Sequence, residues 1–208
     1  MAGFVRLAGV VATAVLVVPP VAAAGSPAAS SAADDPFVMT ASSYGPGYSP
    51  SYVGNGYVGT RIPAQGMGYI AGATVPTTTV IAGVWQQAPS QDVVSAAPMP
   101  GWDELRFTDG GTDYSLSAGT VANWQQRVDM RTGVISTELD WTSPAGHTTH
   151  LAYDVFADRA LAHAAVIRLR VTPSWSGSAT VTDVLGSGAP ADLLPVSATA
   201  NPGHRLVT

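Results

Sequence analysis

The chain has 208 residues, of which 46% are hydrophobic and 11% are charged, and its formal net charge is −5. All nine basic residues are arginine. The negative net charge argues against a protein that binds nucleic acid. Cysteine is absent, so no disulfide can form and stability has to come from buried apolar surface.

The first 24 residues have the pattern of a secretory signal peptide. Arg6 gives a positive start, residues 7–18 are apolar, and residues 22–24 are small enough for cleavage. Because a membrane span needs about 20 apolar residues, cleavage and export are favoured over an uncleaved membrane anchor. Residues 25–36 are small, polar and proline-containing, and are predicted to be a disordered leader. We expect a secreted product without membrane contact after cleavage.

Residues 51–63 predict a tight hairpin. Asn55 and Gly56 form a turn pair of the kind that suits a type I′ turn, in which both central residues have positive φ. The glycines at 54, 56 and 59 also match the G-x-G-x-x-G pattern of dinucleotide-binding proteins. That pattern needs a helix after the glycines, whereas Pro63 and the lack of a helical period oppose one here, so the hairpin is favoured.

From residue 37 onward, hydrophobic residues recur with a period of two, and turn residues interrupt them at short intervals. One hairpin is predicted to turn at residues 109–111 and another at 131–133. After the second turn, Ile135, Leu139 and Trp141 share one face of a strand while Glu138 and Asp140 share the other. Residues 166–171 alternate in the same way, with both arginines facing outward.

This pattern predicts an all-β domain over residues 37–208, an antiparallel two-sheet β-sandwich of the super-sandwich type. Residues 203–208 look like the start of a strand that has no partner. We therefore expect a sandwich that is incomplete at its C-terminus.

Catalytic and metal-binding patterns are weak. Glu104 and Glu138 are the two glutamates, and solvated surface charge is the favoured interpretation of both. His147 and His150 are three residues apart, so on a strand they point to opposite faces and do not converge on one metal ion. We predict no catalytic residue, no metal site and no cofactor on this chain.

Aromatic residues are the remaining candidates for a binding surface, because a tryptophan ring can stack on a sugar. Trp141 shares its face with leucine and isoleucine and is predicted to be core. Trp102 follows a proline- and glycine-containing stretch, so a loop position makes it the tryptophan most expected at the surface.

Short sequence motifs follow one another along the chain after the leader, at residues 52–63, 66–69, 82–85, 99–102, 127–134 and 168–173. Together they extend over essentially the whole of that part of the chain. In this order, they resemble the N-terminal domain of glycoside hydrolase family 65, in its acid-trehalase-like branch.

The resemblance implies a non-catalytic β-sandwich from a secreted enzyme that acts on an α-glucoside or a trehalose-like sugar, with chemistry in a separate (α/α)6 barrel. It also implies that the sandwich leans on that barrel, and the barrel-interface or substrate-pocket candidates are Asn55, Tyr57, Arg61 and Trp102. An arginine that only closes the hairpin locally is the alternative for Arg61. For the whole chain, the alternative is a stand-alone secreted carbohydrate-binding module.

Overall fold

A computed structural model describes residues 10–18, 35–68, 77–87, 94–185, 198–201 and 204–207. The predicted disordered leader lies outside these ranges except for Asp35 and Pro36. The described part contains strands and turns without an α-helix, and it accordingly holds no helix long and apolar enough to cross a membrane.

Fifteen strands are present in the described part of the chain. They are β1 Val10–Val18, β2 Val38–Ala41, β3 Ser51–Gly54, β4 Val58–Ile62, β5 Thr79–Gln87, β6 Val94–Met99, β7 Glu104–Asp109, β8 Thr112–Asp113, β9 Thr120–Asp129, β10 Val134–Thr142, β11 Thr148–Ala157, β12 Ala165–Pro173, β13 Gly177–Leu185, β14 Ala198–Asn201 and β15 His204–Val207.

The strands form antiparallel sheets, which confirms the predicted all-β sandwich. A five-stranded sheet has the order β12-β11-β10-β9-β2, and we call it the main sheet. Two four-stranded sheets have the orders β1-β13-β7-β8 and β3-β4-β5-β6. The last two strands, β14 and β15, pair with each other, so the strand that was expected to lack a partner has one.

Two hydrophobic clusters show how the layers pack. In the larger one, Phe107 of β7 and Ala179 of β13 meet Leu139, Trp141 and Leu151 of the main sheet. In the smaller one, Val53 of β3 and Ile62 of β4 meet Ile135 and Val155. The layer opposite the main sheet is therefore made of two separate sheets, where the sequence predicted a single one.

The alternation that predicted the main sheet is confirmed residue by residue. Along β10, Ile135, Leu139 and Trp141 are buried, whereas Glu138 is exposed. Along β12, the two arginines are exposed, and the apolar residues that alternate with them, Ile167, Leu169 and Val171, pack against the core. A strand with one face toward an apolar layer and one toward water gives this period of two.

The predicted apolar segment of the signal peptide includes the residues of β1. In the structure, β1 pairs along its whole length with β13, from Val10 opposite Leu185 to Val18 opposite Gly177. The cleavage of a signal peptide from the precursor stays a prediction.

Gln126 on β9 connects the main sheet to the residues that flank the β3–β4 hairpin. Its side chain is 2% exposed. The Oε1 atom accepts hydrogen bonds from the hydroxyls of Tyr48 (2.7 Å) and Ser51 (3.1 Å). The Nε2 atom donates to the carbonyl of Pro63 (3.1 Å) and to Thr137 Oγ1 (3.0 Å). This buried amide thus uses its full hydrogen-bonding capacity.

Gln126→Leu is expected to lower the free energy of unfolding by about 2–4 kcal/mol, because it strands buried hydroxyl and carbonyl groups without partners. Urea denaturation followed by tryptophan fluorescence measures the change. Gln125→Leu is the matched control, since Gln125 is the exposed neighbour on the same strand; its effect should stay within about 0.5 kcal/mol. Equal effects of the two variants would contradict the role assigned to the buried amide.

Candidate functional site

The β3–β4 hairpin is present, but its turn differs from the predicted one. The backbone N–H of Asn55 donates to the carbonyl of Val58 (3.2 Å), which leaves Gly56 and Tyr57 as the central pair. Gly56 has a φ of 92°, while Asn55 and Tyr57 lack a positive φ. A positive φ at the first central residue alone is the pattern of type II′, so the prediction of type I′ centred on Asn55 and Gly56 is wrong.

The side chain of Asn55 replaces part of the turn and holds a second loop. Its Oδ1 atom accepts hydrogen bonds from the backbone N–H groups of Tyr57 and Val58, both at 3.0 Å. Its Nδ2 atom donates to the carbonyls of Asp158 (2.6 Å) and Ala162 (2.9 Å). Asn55 therefore fixes the hairpin turn against the loop of residues 158–164 between β11 and β12.

Tyr57 reinforces the same contact. Its ring packs edge-on against the imidazole of His163, with ring centroids 4.2 Å apart and an interplanar angle of 85°. The Asp158 side chain closes the loop by accepting from the N–H groups of Ala160 and Leu161. The turn and the loop thus form one rigid edge of the domain, which we call the turn–loop edge (residues 55–58 and 158–164).

Arg61 lies beside this edge on β4. It is directly opposite Tyr52 of β3 in the strand register, and the two side chains share the face that points away from the main sheet. Within the described residues, the Arg61 guanidinium makes no ion pair or hydrogen bond, unlike Arg168, which bonds Asp154. It is a half-buried cation available to a group outside the described chain.

Trp102 does not lie apart from the core as its loop position suggested. It is half-buried, packs against the cluster of Val53, Ile62, Ile135 and Val155, and its Nε1 is buried without a hydrogen-bond partner. The tryptophan at the surface is Trp85 on β5, which is 64% exposed. The expectation that Trp102 is the most exposed tryptophan is therefore wrong, whereas Trp141, at 0% exposed, is core as predicted.

Asp103, the residue before Glu104, is a buried acid. It is 1% exposed, and its Oδ2 has no hydrogen-bond partner. Burial raises the pKa of Asp103 to about 6, and the neighbouring Glu104 charge adds to the rise. Glu104 is itself 8% exposed and accepts a hydrogen bond from Arg106 Nε at 2.5 Å, so the expectation of solvated charge is wrong for Glu104.

The other candidate residues, Glu138, His147 and His150, do not form a common site. Glu138 is exposed on β10, as expected. His147 contacts Asp109 (3.0 Å) while His150 contacts Asp140 (2.8 Å), so the two imidazoles are held by different carboxylates. Within the described residues, no group of three or more metal-ligating side chains comes together.

On the part of the sandwich that the structure describes, two open clefts lie at the surface. The larger has a volume of about 440 Å³ and lies between β2, β9 and residues 43–51, next to Gln126. The smaller has a volume of about 160 Å³ and lies on the outer face of β4 and β5, between Tyr52 and Trp85. The lining of neither cleft contains a carboxylate or a cation.

A comparison with protein families matches residues 49–193 to the model described as glycosyl hydrolase family 65, N-terminal domain. The matched range includes the turn–loop edge, Arg61 and the whole lining of the smaller cleft. The landmark order noted in the sequence therefore agrees with a match over most of the chain.

Individual relatives are similar over part of their length. The acid trehalase of Emericella nidulans is 27% identical over 187 residues, which cover 73% of this chain and 18% of the relative. The kojibiose phosphorylase of Halothermothrix orenii is 22% identical, covering 62% of this chain and 16% of the relative. The cell wall acid trehalase of Arthroderma benhamiae is 28% identical over 104 residues, 49% of this chain and 10% of that relative.

Among solved structures, a putative kojibiose phosphorylase from the human microbiome has a similar fold. The TM-score is 0.58 at 14% sequence identity, and the match covers 67% of this chain and 20% of that one. This chain thus spans no more than about a fifth of the length of the relatives it matches.

Asn55→Ala is expected to lower the free energy of unfolding by about 1–3 kcal/mol and to speed amide hydrogen exchange at residues 158–164, because the loop loses its two anchoring donors. Asn55→Asp is the informative companion: it keeps the acceptor for the turn but cannot donate to the loop. Exchange measured by mass spectrometry should rise at 158–164 in both variants, and unchanged exchange there would contradict the proposed anchoring.

The raised pKa of Asp103 predicts that the free energy of unfolding falls as the pH rises. Its pKa is 3.8 when unfolded and about 6 in the folded domain, so the unfolded chain ionises first. Between pH 4 and pH 7 this residue should lower the free energy of unfolding by up to about 3 kcal/mol, with the full stability present below pH 4. Asp140 acts outside this window: burial opposes its ionisation, but bonds from Asn123 and His150 lower its pKa below 3.8.

Asp103→Asn should therefore flatten the pH dependence between pH 4 and pH 7 and stabilise the domain at pH 7. Thermal unfolding across this range measures the effect. Glu138→Gln serves as the control, since Glu138 is exposed and should leave the slope as it is. A wild-type slope in Asp103→Asn would show that the carboxyl ionises as readily in the folded domain as in the unfolded chain.

Proposed function

The chain belongs to glycosyl hydrolase family 65, whose N-terminal domain model it matches, and from this membership we propose that it is the non-catalytic β-sandwich of a secreted enzyme acting on α-glucosides. The match over residues 49–193 carries the proposal. Two of the relatives described above are acid trehalases, which favours hydrolysis of a trehalose-like sugar as the activity of the full-length protein.

The placement of the acidic residues supports a non-catalytic role. Glycoside hydrolysis uses two carboxyl groups that flank the scissile bond in a common pocket. Here Glu104 is bonded to Arg106, and Glu138 is exposed on the outer face of β10. Neither glutamate lines one of the two clefts, so the chemistry is assigned to a catalytic domain, expected to be an (α/α)6 barrel, outside this chain.

Export is part of the same proposal. The pattern of residues 1–24 supports a signal peptide, and the name of one relative, a cell wall acid trehalase, fits an extracellular location.

The turn–loop edge is the proposed contact with the catalytic domain. An exposed rigid edge is suited to docking because little conformational freedom is lost on binding. Beside it, Arg61 is a half-buried cation without an ion pair in the described chain, and a carboxylate of the catalytic domain would complete it. In this arrangement, Asn55 and Tyr57 are positioning residues, since they act by holding the edge in shape.

Two measurements test the proposed function. The purified chain should release no glucose from trehalose. A chimera that carries this sandwich in place of the corresponding segment of the Emericella nidulans acid trehalase should hydrolyse trehalose. Glucose release by the isolated chain would contradict the non-catalytic role, and a folded but inactive chimera would contradict the domain equivalence.

Within the chimera, Arg61→Ala is expected to lower both the melting temperature and kcat/KM, by roughly tenfold for the latter, because a buried carboxylate across the interface loses its partner. Arg170→Ala is the control, since Arg170 is exposed on β12, outside the turn–loop edge, and Asp154 keeps its ion pair with Arg168 when Arg170 is removed. If Arg61→Ala matches Arg170→Ala in both measurements, Arg61 only closes the hairpin locally.

A further inference from the structure

We propose that the smaller cleft, on the outer face of β4 and β5, is a binding site for one pyranose unit of a neutral α-glucoside. The choice of an α-glucoside rests on the proposed function, while the site itself is inferred from the geometry of its aromatic side chains. Tyr52, Tyr57 and Trp85 line the cleft and are 58%, 36% and 64% exposed, respectively. Exposed aromatic side chains that converge on one concave surface mark an interaction site.

The Tyr52 ring lies over Gly54 and Gly59, whose lack of side chains leaves room for it. A Cβ on Gly59 would lie 1.7 Å from the Tyr52 hydroxyl, and a Cβ on Gly54 would lie 3.0 Å from Tyr52 Cε1. These two glycines face each other in the strand register, so together they leave the space that the tyrosine ring fills. The ring is thus ordered before any ligand binds, which reduces the entropy lost on binding.

A bulge in β5 brings Trp85 to the other side of the cleft. The pairing with β6 shifts between Val80, opposite Pro98, and Trp85, opposite Ala96. Gly83 within the bulge has a φ of 84°, and the N–H of Ala82 donates to the carbonyl of Tyr57 at 2.7 Å. The bulge is therefore tied to the hairpin turn, as expected of bulges that re-aim a side chain. The small Ala96 opposite Trp85 leaves its indole uncovered.

The chemistry of the lining favours a neutral sugar over other ligands. The lining contains no charged side chain, so a phosphate or a nucleotide would find no counter-charge within the cleft. A pyranose has an apolar face that suits an aromatic ring, and its hydroxyl groups suit a polar rim. The tyrosine hydroxyls of the lining supply such a rim.

The size of the cleft limits the ligand. Its volume of about 160 Å³ is below the roughly 300–1,000 Å³ of pockets that enclose a drug-sized molecule. One sugar ring stacked between aromatic side chains fits this space, with the rest of the saccharide in solvent. The site would lie next to Arg61, at the border of the proposed contact with the catalytic domain.

The test is titration of the full chain with trehalose and with maltose, followed by tryptophan fluorescence and by saturation-transfer NMR. We expect saturable binding of at least one of the two disaccharides. Trp85→Ala and Tyr52→Ala should each weaken the affinity at least tenfold, and Tyr52→Phe should keep it within about threefold, since the ring remains. Val94→Ala is the matched control, because Val94 is 55% exposed on the same β5–β6 hairpin but does not line the cleft.

Gly59→Ala tests the geometry without removing an aromatic residue. Its added methyl displaces the Tyr52 ring, so binding should be lost while circular dichroism still reports a folded sandwich. If this variant does not fold, Tyr52→Ala decides the same point.

Three results would overturn the inference. They are the absence of saturable binding of both sugars, an unchanged affinity in Trp85→Ala, and a concentration-dependent dimer that Trp85→Ala converts to a monomer, which would assign this face to self-association. The trehalose-hydrolysing chimera is a separate measurement: loss of sugar binding by the isolated chain leaves its outcome unaffected, and an inactive chimera leaves the titration interpretable.

Discussion

The buried amide of Gln126 is the constraint on which the position of the candidate site depends. Residues before β3, after β4 and on β10 all bond to this one side chain. Burial raises the pKa of Tyr48 to about 12, so its hydroxyl remains a donor to Gln126 across the neutral pH range. A fully satisfied buried polar network selects one arrangement of its parts, because any shift leaves a polar group unpaired. The β3–β4 hairpin is thereby set in one place over the main sheet.

The consequences of that placement run outward through the hairpin. Once β3 and β4 are fixed, Asn55 reaches the loop of residues 158–164 and Tyr57 meets His163. The same two strands present Tyr52 and Arg61 side by side on the outer face. The β3–β4 hairpin thus connects three features. It is bonded to the buried Gln126, it forms part of the turn–loop edge, and it carries the outward-facing Tyr52.

The regular part of the fold could be predicted from the sequence because each strand carries its own evidence. The alternation of Ile135, Leu139 and Trp141 with polar residues gave the orientation of β10, and the turn residues before it gave the hairpin. The family also follows from the order of short motifs. These patterns involve residues close together in the sequence, so they can be recognised without knowing which distant segments pack against them.

The rest depended on contacts between distant segments. Gln126 and Gln125 are the same residue type in adjacent positions, and only their partners, from residues 48 to 137, distinguish the buried amide from the exposed one. Trp102 enters the core although a loop precedes it, and Trp85 is exposed because a bulge turns it outward. Asp103 is buried by neighbours that its own sequence does not indicate. The turn type also escaped prediction, since the Asn55 side chain takes over a backbone bond of the turn.

The glycine at position 59 has a meaning that its backbone does not reveal. Unlike Gly56, it has no positive φ, so any residue could adopt its torsion angles. What position 59 cannot accept is a side chain, because the Tyr52 ring already occupies that volume. In an alignment, the glycines at 54, 56 and 59 would look like one glycine-rich turn, yet they are required for different structural reasons. Gly56 permits the positive φ of the turn, whereas Gly54 and Gly59 leave space for the Tyr52 ring. Among members of this family, a substitution of Gly59 should therefore be accompanied by a substitution of Tyr52.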